Sequence, residues 1–280
     1  MPYTKPMTAS LLGCISLLMD WSSSMSGSFG GAINTRKHEE CAKAANRILY
    51  ETVSKCTVDL EEETIIKNRC NISVIGYGEQ VKSAFDGLFD TPWVTPEDLT
   101  TACLRVEKIK TQVDNGDGGL EEVESEYPVW FDPYAMGSTP MAKAFDLSYS
   151  LTSQWVKDHP DSFPPIVINI TDGEPDDKQE AQTSASKLRS VKTSDGETLL
   201  FNIHISSNNA PEVILPSDVS ELPPGDSYAQ FLFHLSSPLP EKMLGRASMS
   251  GYSVRSGARG FVYNAKPETL IEVLEIGTQI

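Results

Sequence analysis

The stretch that most constrains this chain runs from Leu11 to Gly27. Leu11 to Met19 is a continuous apolar run bounded by Ser10 and Asp20, and it shows no helical polarity. Such a run predicts a strand buried on both faces, the kind found in parallel sheets. It ends in Asp20-Trp21-Ser22-Ser23-Ser24, followed by a glycine-rich turn. Asp-x-Ser-x-Ser offers one carboxylate and two hydroxyls from a single loop, an all-oxygen set suited to a hard divalent cation such as Mg²⁺. Asp or Ser after a strand is also a common helix cap. The motif therefore gains meaning only if other segments bring more oxygens to the same place.

The rest of the chain reads as strands and helices in alternation. Asn34 to Lys55 carries Cys41, Ala45, Ile48, Leu49 and Val53 at spacings near three and four, which predicts an amphipathic helix. Asn71 to Gly78 predicts a second strand with Ile72, Val74 and Gly76 on one face, so the chain opens as a βαβ unit. Val81 to Phe89 reads as a strand pairing with its predecessor, and Thr95 as the cap of a helix opened by Pro96. Asp114 to Gly119 reads as a loop whose acids miss the EF-hand spacing, and the four glutamates between Glu121 and Glu126 as solvated surface.

Regularity then returns. Pro140 suits a first helical position, with Thr139 as cap and Met141, Ala144, Phe145, Ser148, Leu151 and Trp155 as the inner stripe. Pro165 to Thr171 and Leu199 to Ser206 read as buried strands, with a polar helix over Asp177 to Val191 between them. Residues 207–240 read as an irregular proline-rich segment with a short strand at Phe231 to Leu235. Glu241 to Met249 predicts a helix and Gly260 to Asn264 a last strand. A helix opened by Pro267 follows, docked by Leu270, Ile271, Val273 and Leu274. The pattern predicts one α/β domain over residues 1–280, a doubly wound and mostly parallel sheet flanked by helices. About sixty residues separate the second strand from Thr139, long for one connection, so an insertion is expected at about 80–136.

Composition narrows the function. Lys+Arg 23 against Asp+Glu 39 gives a net charge of −16, which disfavours nucleic acid or an anionic membrane as partner, because both need a basic surface. Divalent cations and a basic protein surface remain compatible with it. Cys14, Cys41, Cys56, Cys70 and Cys103 form no Cys-x-x-Cys pair, so neither a zinc site nor a disulfide framework is indicated, and a reducing compartment fits. Leu11-Leu12-Gly13-Cys14 is similar to a lipoprotein cleavage box. The residues before it contain no apolar core, and cleavage would remove half of the strand that carries Asp20. With no apolar window near 18 residues, no membrane span is expected, and the location expected is cytoplasmic.

In an open parallel sheet, functional groups gather at the carboxyl ends of the strands. Asp20 and Asp172 each end a predicted strand, and a loop entering a helix contributes Thr139. Five oxygen side chains, Asp20, Ser22, Ser24, Thr139 and Asp172, thus come from three loops that this fold would place on one edge. As a set, Asp-x-Ser-x-Ser, Gly-x-Thr-Pro and Thr-Asp-Gly resemble the metal-ion-dependent adhesion site of von Willebrand factor type A (VWA) domains, in the family's order. Thr171-Asp172-Gly173-Glu174-Pro175 and Gly137-Ser138-Thr139-Pro140-Met141 are similar to the bacterial intracellular branch associated with tellurite resistance.

The resemblance implies a Rossmann-like VWA fold and a bound divalent cation, Mg²⁺ foremost, with Mn²⁺ or Ca²⁺ as alternatives. Ser22, Ser24 and Thr139 would bind it through hydroxyls, and Asp20 and Asp172 through waters and hydrogen bonds to those hydroxyls. Such a cation lacks a direct anionic ligand and can take a carboxylate from a partner protein. The implied role is a non-enzymatic interaction module in a bacterial stress-response or defence complex. Glu174, Asp176 and Asp177 read as dipole-complementing charges of the next helix; facing the site, they would repel an acidic ligand.

Rival readings find less support. Gly27-Ser28-Phe29-Gly30-Gly31 matches neither a dinucleotide fingerprint nor a P-loop. A Mg²⁺-dependent phosphohydrolase with Asp20 as nucleophile would need a second aspartate where Ser22 stands. His38, His159, His204 and His234 offer no nucleophile–base pairing, and His204 reads as a hydrogen-bonded core histidine. A metal-free scaffold would have no use for both serines.

Overall fold

In a computed structural model, residues 2–30, 34–61, 63–114, 120–206, 210–266, 269, 272 and 273 are described. The chain begins with β1 (Gly13–Asp20), α1 (Lys37–Cys56), β2 (Cys70–Tyr77), β3 (Val81–Ser83) and the short α2 (Asp98–Thr101). It continues with α3 (Met141–Asp158), β4 (Ile166–Thr171), α4 (Lys178–Ser190), β5 (Leu199–His204) and β6 (Val213–Ile214). It ends with α5 (Ser227–Leu235), α6 (Glu241–Met249) and β7 (Phe261–Tyr263). These seven strands form one sheet in the order β3-β2-β1-β4-β5-β7-β6. The five inner strands are parallel, and β3 and β6 close the two edges antiparallel.

Each inner strand divides its side chains between two cores, as a period of two requires. Ile15, Leu17 and Met19 of β1 join Ile166, Ile168 and Ile170 of β4 and Leu199, Phe201 and Ile203 of β5 on one face. That face is covered by α1, through Cys41, Ala45, Ile48 and Leu49, and by Met243 and Ala247 of α6. Leu18, Val167 and Leu200 face the other way, toward Met141, Ala144 and Phe145 of α3, Ala181, Ala185 and Leu188 of α4, and Leu232 and Phe233 of α5. Each large aliphatic side chain buried in this way contributes about 1.5–3 kcal/mol. Helices on both faces of a parallel sheet make this a doubly wound α/β fold, as the sequence predicts.

The second layer also holds a polar ladder. Tyr77 Oη donates to Asn169 Oδ1 (2.7 Å), Asn169 Nδ2 to Asn202 Oδ1 (2.9 Å) and Asn202 Nδ2 to Ser236 Oγ (3.0 Å), all buried. Asn169 and Asn202 are register partners, so the ladder ties β4 to β5 through side chains as well as backbone.

Several expectations need correction. Only Val81–Ser83 of the predicted strand at 81–89 pairs with β2; the chain then turns and buries Phe85. The glutamate-rich stretch is a strand, Leu120–Val129, in a two-stranded antiparallel ribbon with Arg105–Asp114. The intervening residues 115–119 lie outside the described ones. Phe231 to Leu235 is the end of α5 rather than a strand, because Asp226 caps a helix by accepting from the N–H groups of Tyr228 and Ala229. Thr139 does not cap α3. Pro140 holds the cap position and no side chain bonds there. The expected last helix falls mostly on residues outside the described ones, although Thr269, Glu272 and Val273 are helical.

Thr95 is not the cap of α2 either, because the helix starts at Asp98 and Glu97 holds the cap position, yet Thr95 exchanges hydrogen bonds with the first helical residue. It accepts from Asp98 N–H (3.1 Å), while its own N–H and hydroxyl reach the Asp98 carboxylate. All five cysteines are free.

Candidate functional site

The sheet order reverses at β1, whose neighbours are β2 and β4, so the loops after β1 and β4 leave in opposite directions and open a crevice. Asp20 closes β1 and Asp172 follows β4. After Asp20 the chain forms a single 3₁₀ turn, Ser23–Ser26, with Met25 buried beneath it and Ser24 on the open edge.

Hydrogen bonds gather four of the five predicted residues. Asp20 Oδ1 accepts from Ser22 N–H (2.8 Å), and Oδ2 accepts from the Thr171 hydroxyl (2.6 Å). Ser22 Oγ lies 2.8 Å from Ser24 Oγ, and Ser24 Oγ donates to Asp172 Oδ1 at 2.8 Å. A serine hydroxyl has one hydrogen, so Ser22 must be the donor to Ser24. The two bonds therefore run in one direction, from Ser22 through Ser24 to the Asp172 carboxylate.

Thr139 reaches the same edge by its backbone. Its N–H donates to Asp176 Oδ1 (2.8 Å), its carbonyl accepts from Asp176 N–H (3.0 Å), and Ser138 Oγ donates to Asp176 Oδ2 (2.7 Å). Two residues earlier, Gly137 and Ser23 join this loop to the first. Ser23 N–H donates to Gly137 C=O and Gly137 N–H to Ser23 Oγ, both at 3.0 Å. Gly137 has φ +94°, and a Cβ there would stand 2.3 Å from the Glu79 nitrogen, so both its backbone and its surroundings demand glycine. Ser23 and Trp21 thus face away from the hydroxyl chain, one toward the Thr139 loop and the other into the apolar core beside Tyr134.

Three participants escape a reading of the sequence. Thr171 orients Asp20. Asp176, expected as a helix-end charge, instead clamps the Thr139 loop; Asp177 alone caps α4, accepting from Gln179 and Glu180 N–H, while Glu174 pairs with Tyr228. The third is Lys37, the first residue of α1, whose ammonium forms an ion pair with Asp172 Oδ2. The two side chains are only 7% and 1% exposed, so this is a buried pair.

The electrostatics follow from the burial. Asp20 is 1% exposed and both of its partners above are neutral. Burial first, and the Asp172 carboxylate second, push its carboxyl up to about 6, against the hydrogen bonds from Ser22 and Thr171 that pull it down. The same burial and the same two carboxylates raise the Cys41 thiol far above its ordinary range, so it stays a neutral packing group.

The donor set is all oxygen, and among the described residues no group of three or more His, Cys, Asp or Glu could hold a metal. The site therefore lacks the chemistry of a zinc or multi-carboxylate centre. Two serine hydroxyls lined up on a carboxylate, with a second carboxylate behind them, do fit a hard divalent cation.

No protein-family model matches the chain, and a search of curated proteins finds no match. Several solved structures align with it, among them three at low identity. Proximal thread matrix protein 1 from the mussel byssus is 16% identical with a TM-score of 0.45, over 84% of this chain and 43% of that one. The manganese-loaded TRAP protein of Plasmodium vivax is 13% identical with a TM-score of 0.42, over 98% of this chain and 76% of that one. The pilus adhesin RrgA from Streptococcus pneumoniae is 12% identical with a TM-score of 0.30, over 90% and 33%. The chain thus spans less than half the length of the first and third. No helix among the described residues is long and apolar enough to cross a membrane.

Proposed function

We propose that this strand-end edge is a metal-ion-dependent adhesion site of the VWA kind, and that the chain is a cation-dependent module for binding another protein. The observation that carries the reading is the directed chain from Ser22 through Ser24 to Asp172, with Asp20 behind it, at the point where the strand order reverses. Ser22, Ser24 and Thr139 would hold Mg²⁺, or Mn²⁺ or Ca²⁺, through hydroxyl oxygens, with Asp20 and Asp172 orienting those hydroxyls. A bound cation would supply an electrophilic centre with an open position for a carboxylate of the partner.

The protein's own groups prepare that surface. Asp20 fixes the Ser22 backbone, the Ser23–Gly137 pair sets the distance between two loops, and Asp176 fixes the backbone of Thr139. None of these acids needs to touch the cation to do so. Asp176 is engaged by the Thr139 loop and Asp177 by the α4 cap, so both carboxylates accept from neutral donors and keep their charge. The sequence resemblance, rather than any feature of the fold, supports a place in a cytoplasmic bacterial stress-response or defence complex.

Calorimetric titration of the chelator-treated protein with Mg²⁺ and Mn²⁺ tests the reading. Saturable binding that disappears in Asp20→Ala and Ser24→Ala is expected, together with partner recovery from the native host that EDTA abolishes. Absence of binding by the intact protein would leave only a scaffold.

A further inference from the structure

Lys37 has no role in the oxygen set, yet its buried ammonium pairs directly with one of that set's carboxylates. A lysine in the first turn of a helix opposes the helix dipole, and a buried ammonium is costly unless it is paired. Both penalties fall on Lys37, and the Asp172 carboxylate answers both. Asp172 in turn has one oxygen on the ammonium and the other on the Ser22–Ser24 chain. With Asp20 also buried at the end of the neighbouring strand, the edge contains two buried carboxylates and one buried cation.

From this geometry we infer that Lys37 is a built-in counter-cation of the site. It holds Asp172 when no metal is bound and competes with a divalent cation for that carboxylate, so it sets the cation affinity low. The inference rests on the cation-site reading above. Its physical basis is that two cations sharing one carboxylate repel each other, and in a place with little water that repulsion is poorly screened. A divalent cation recruited to Ser24 and Asp172 must either displace the ammonium or bind beside it, and both weaken binding. Removing the charge acts in the same direction twice: the repulsion disappears, and the metal-free form is left with an unanswered carboxylate that the metal relieves.

The experiment compares the intact protein with Lys37→Met, Lys37→Gln and Lys37→Arg, each titrated calorimetrically with Mg²⁺ and Mn²⁺ and melted with and without the metal. Lys37→Met and Lys37→Gln should bind at least about tenfold more tightly than the natural protein and show a larger metal-dependent rise in Tm, because a nearby like charge has been removed. Lys37→Arg keeps the charge and should stay near the natural affinity. If Lys37→Met does not fold, Lys37→Gln, which retains a donor for Asp172, decides against Lys37→Arg. Equal affinity in all folded variants, or weaker binding in the neutral ones, overturns the role of Lys37 and leaves the cation site standing. No binding in any of the four overturns both. Binding by the neutral variants alone would overturn the natural protein as a cation binder while supporting Lys37 as the group that competes for Asp172.

Discussion

The indole of Trp21 lies directly over Gly76: a Cβ added at Gly76 would come within 2.2 Å of ring carbons Cδ2, Cε3 and Cζ3. The ring cannot easily retreat, because Tyr134 meets it edge-on with centroids 5.5 Å apart and its main chain is held by Tyr77 C=O and Met136 N–H (both 2.6 Å). Gly76→Ala should therefore destabilise the protein by about 1–3 kcal/mol through overpacking. Urea denaturation gives the measurement, and Trp21→Leu placed in the Gly76→Ala background should recover part of the loss. An unchanged midpoint in Gly76→Ala would show that the loop moves freely and is not held as described.

Asp176 offers a separable test of the Thr139 loop. It accepts from both the Thr139 N–H and the Ser138 hydroxyl, so Asp176→Ala releases two bonds at once, at a cost of about 1–3 kcal/mol. Asp176→Asn keeps an acceptor and should cost less. Since Thr139 supplies one of the proposed cation-binding hydroxyls, Asp176→Ala should also weaken cation binding by about tenfold, the usual scale for losing a group that orients a ligand. Amide exchange at Thr139 should accelerate in parallel. Weakened cation binding with unchanged exchange at Thr139 would break the link argued here.

How much of this was readable in advance depends on the kind of signal each element carries. The strands β1, β2, β4 and β5 are buried on both faces, so their sequences are largely apolar, broken by single polar residues such as Ser16, Ser73, Asn169 and Asn202, and their ends fall within two residues of expectation. The ribbon at 105–129 hides because its strands are polar and charged. The signal that could have found it is Asn115-Gly116 and Asp117-Gly118 between two stretches of alternating residues. Phe231 to Leu235 is too short an apolar run for periodicity to separate helix from strand, and the deciding residue is the cap at Asp226, upstream of the run.

Among the site residues, Asp20, Ser22, Ser24 and Asp172 were readable because the strand ends place them together. Lys37 was not, since it meets Asp172 across 135 residues and nothing in local spacing tells a buried lysine from a solvated one. Asp176 and Asp177 are adjacent acids with opposite duties, which only the path of the Thr139 loop separates.

The two neighbouring serines give a test of register. Ser23 Oγ accepts from Gly137 N–H, whereas Ser24 Oγ stands in the hydroxyl chain to Asp172. Ser24→Ala should lower cation affinity by at least about tenfold, and Ser23→Ala should change it by much less, with a small loss of stability of about 1 kcal/mol. Calorimetry on the two variants suffices, and the opposite ranking would mean that the turn is rotated by one residue.

His204 gives the clearest pH dependence. Its ring is buried at the end of β5, stacks on Tyr263 with centroids 5.1 Å apart, and accepts at Nδ1 from Asn264 N–H at 3.4 Å. Burial lowers it from 6.5 to about 4, although Asp226 and Asp172 pull it upward. Between pH 6.5 and about 4 the unfolded chain therefore binds a proton that the folded chain refuses. Stability is lost as pH falls through that window, by a total on the order of 3 kcal/mol, and no further below it. Asp20 acts with the opposite sign: its carboxyl is raised from 3.8 to about 6, so the folded chain takes up a proton first and gains stability as pH falls through 6 toward 3.8. In the presence of a chelator the two effects partly offset each other. His204→Gln should remove one of them, so that urea midpoints of the variant rise from pH 7 to pH 5 while those of the natural protein stay flatter or fall. Parallel curves for the two proteins would mean that His204 is protonated as readily in the folded chain as in the unfolded one.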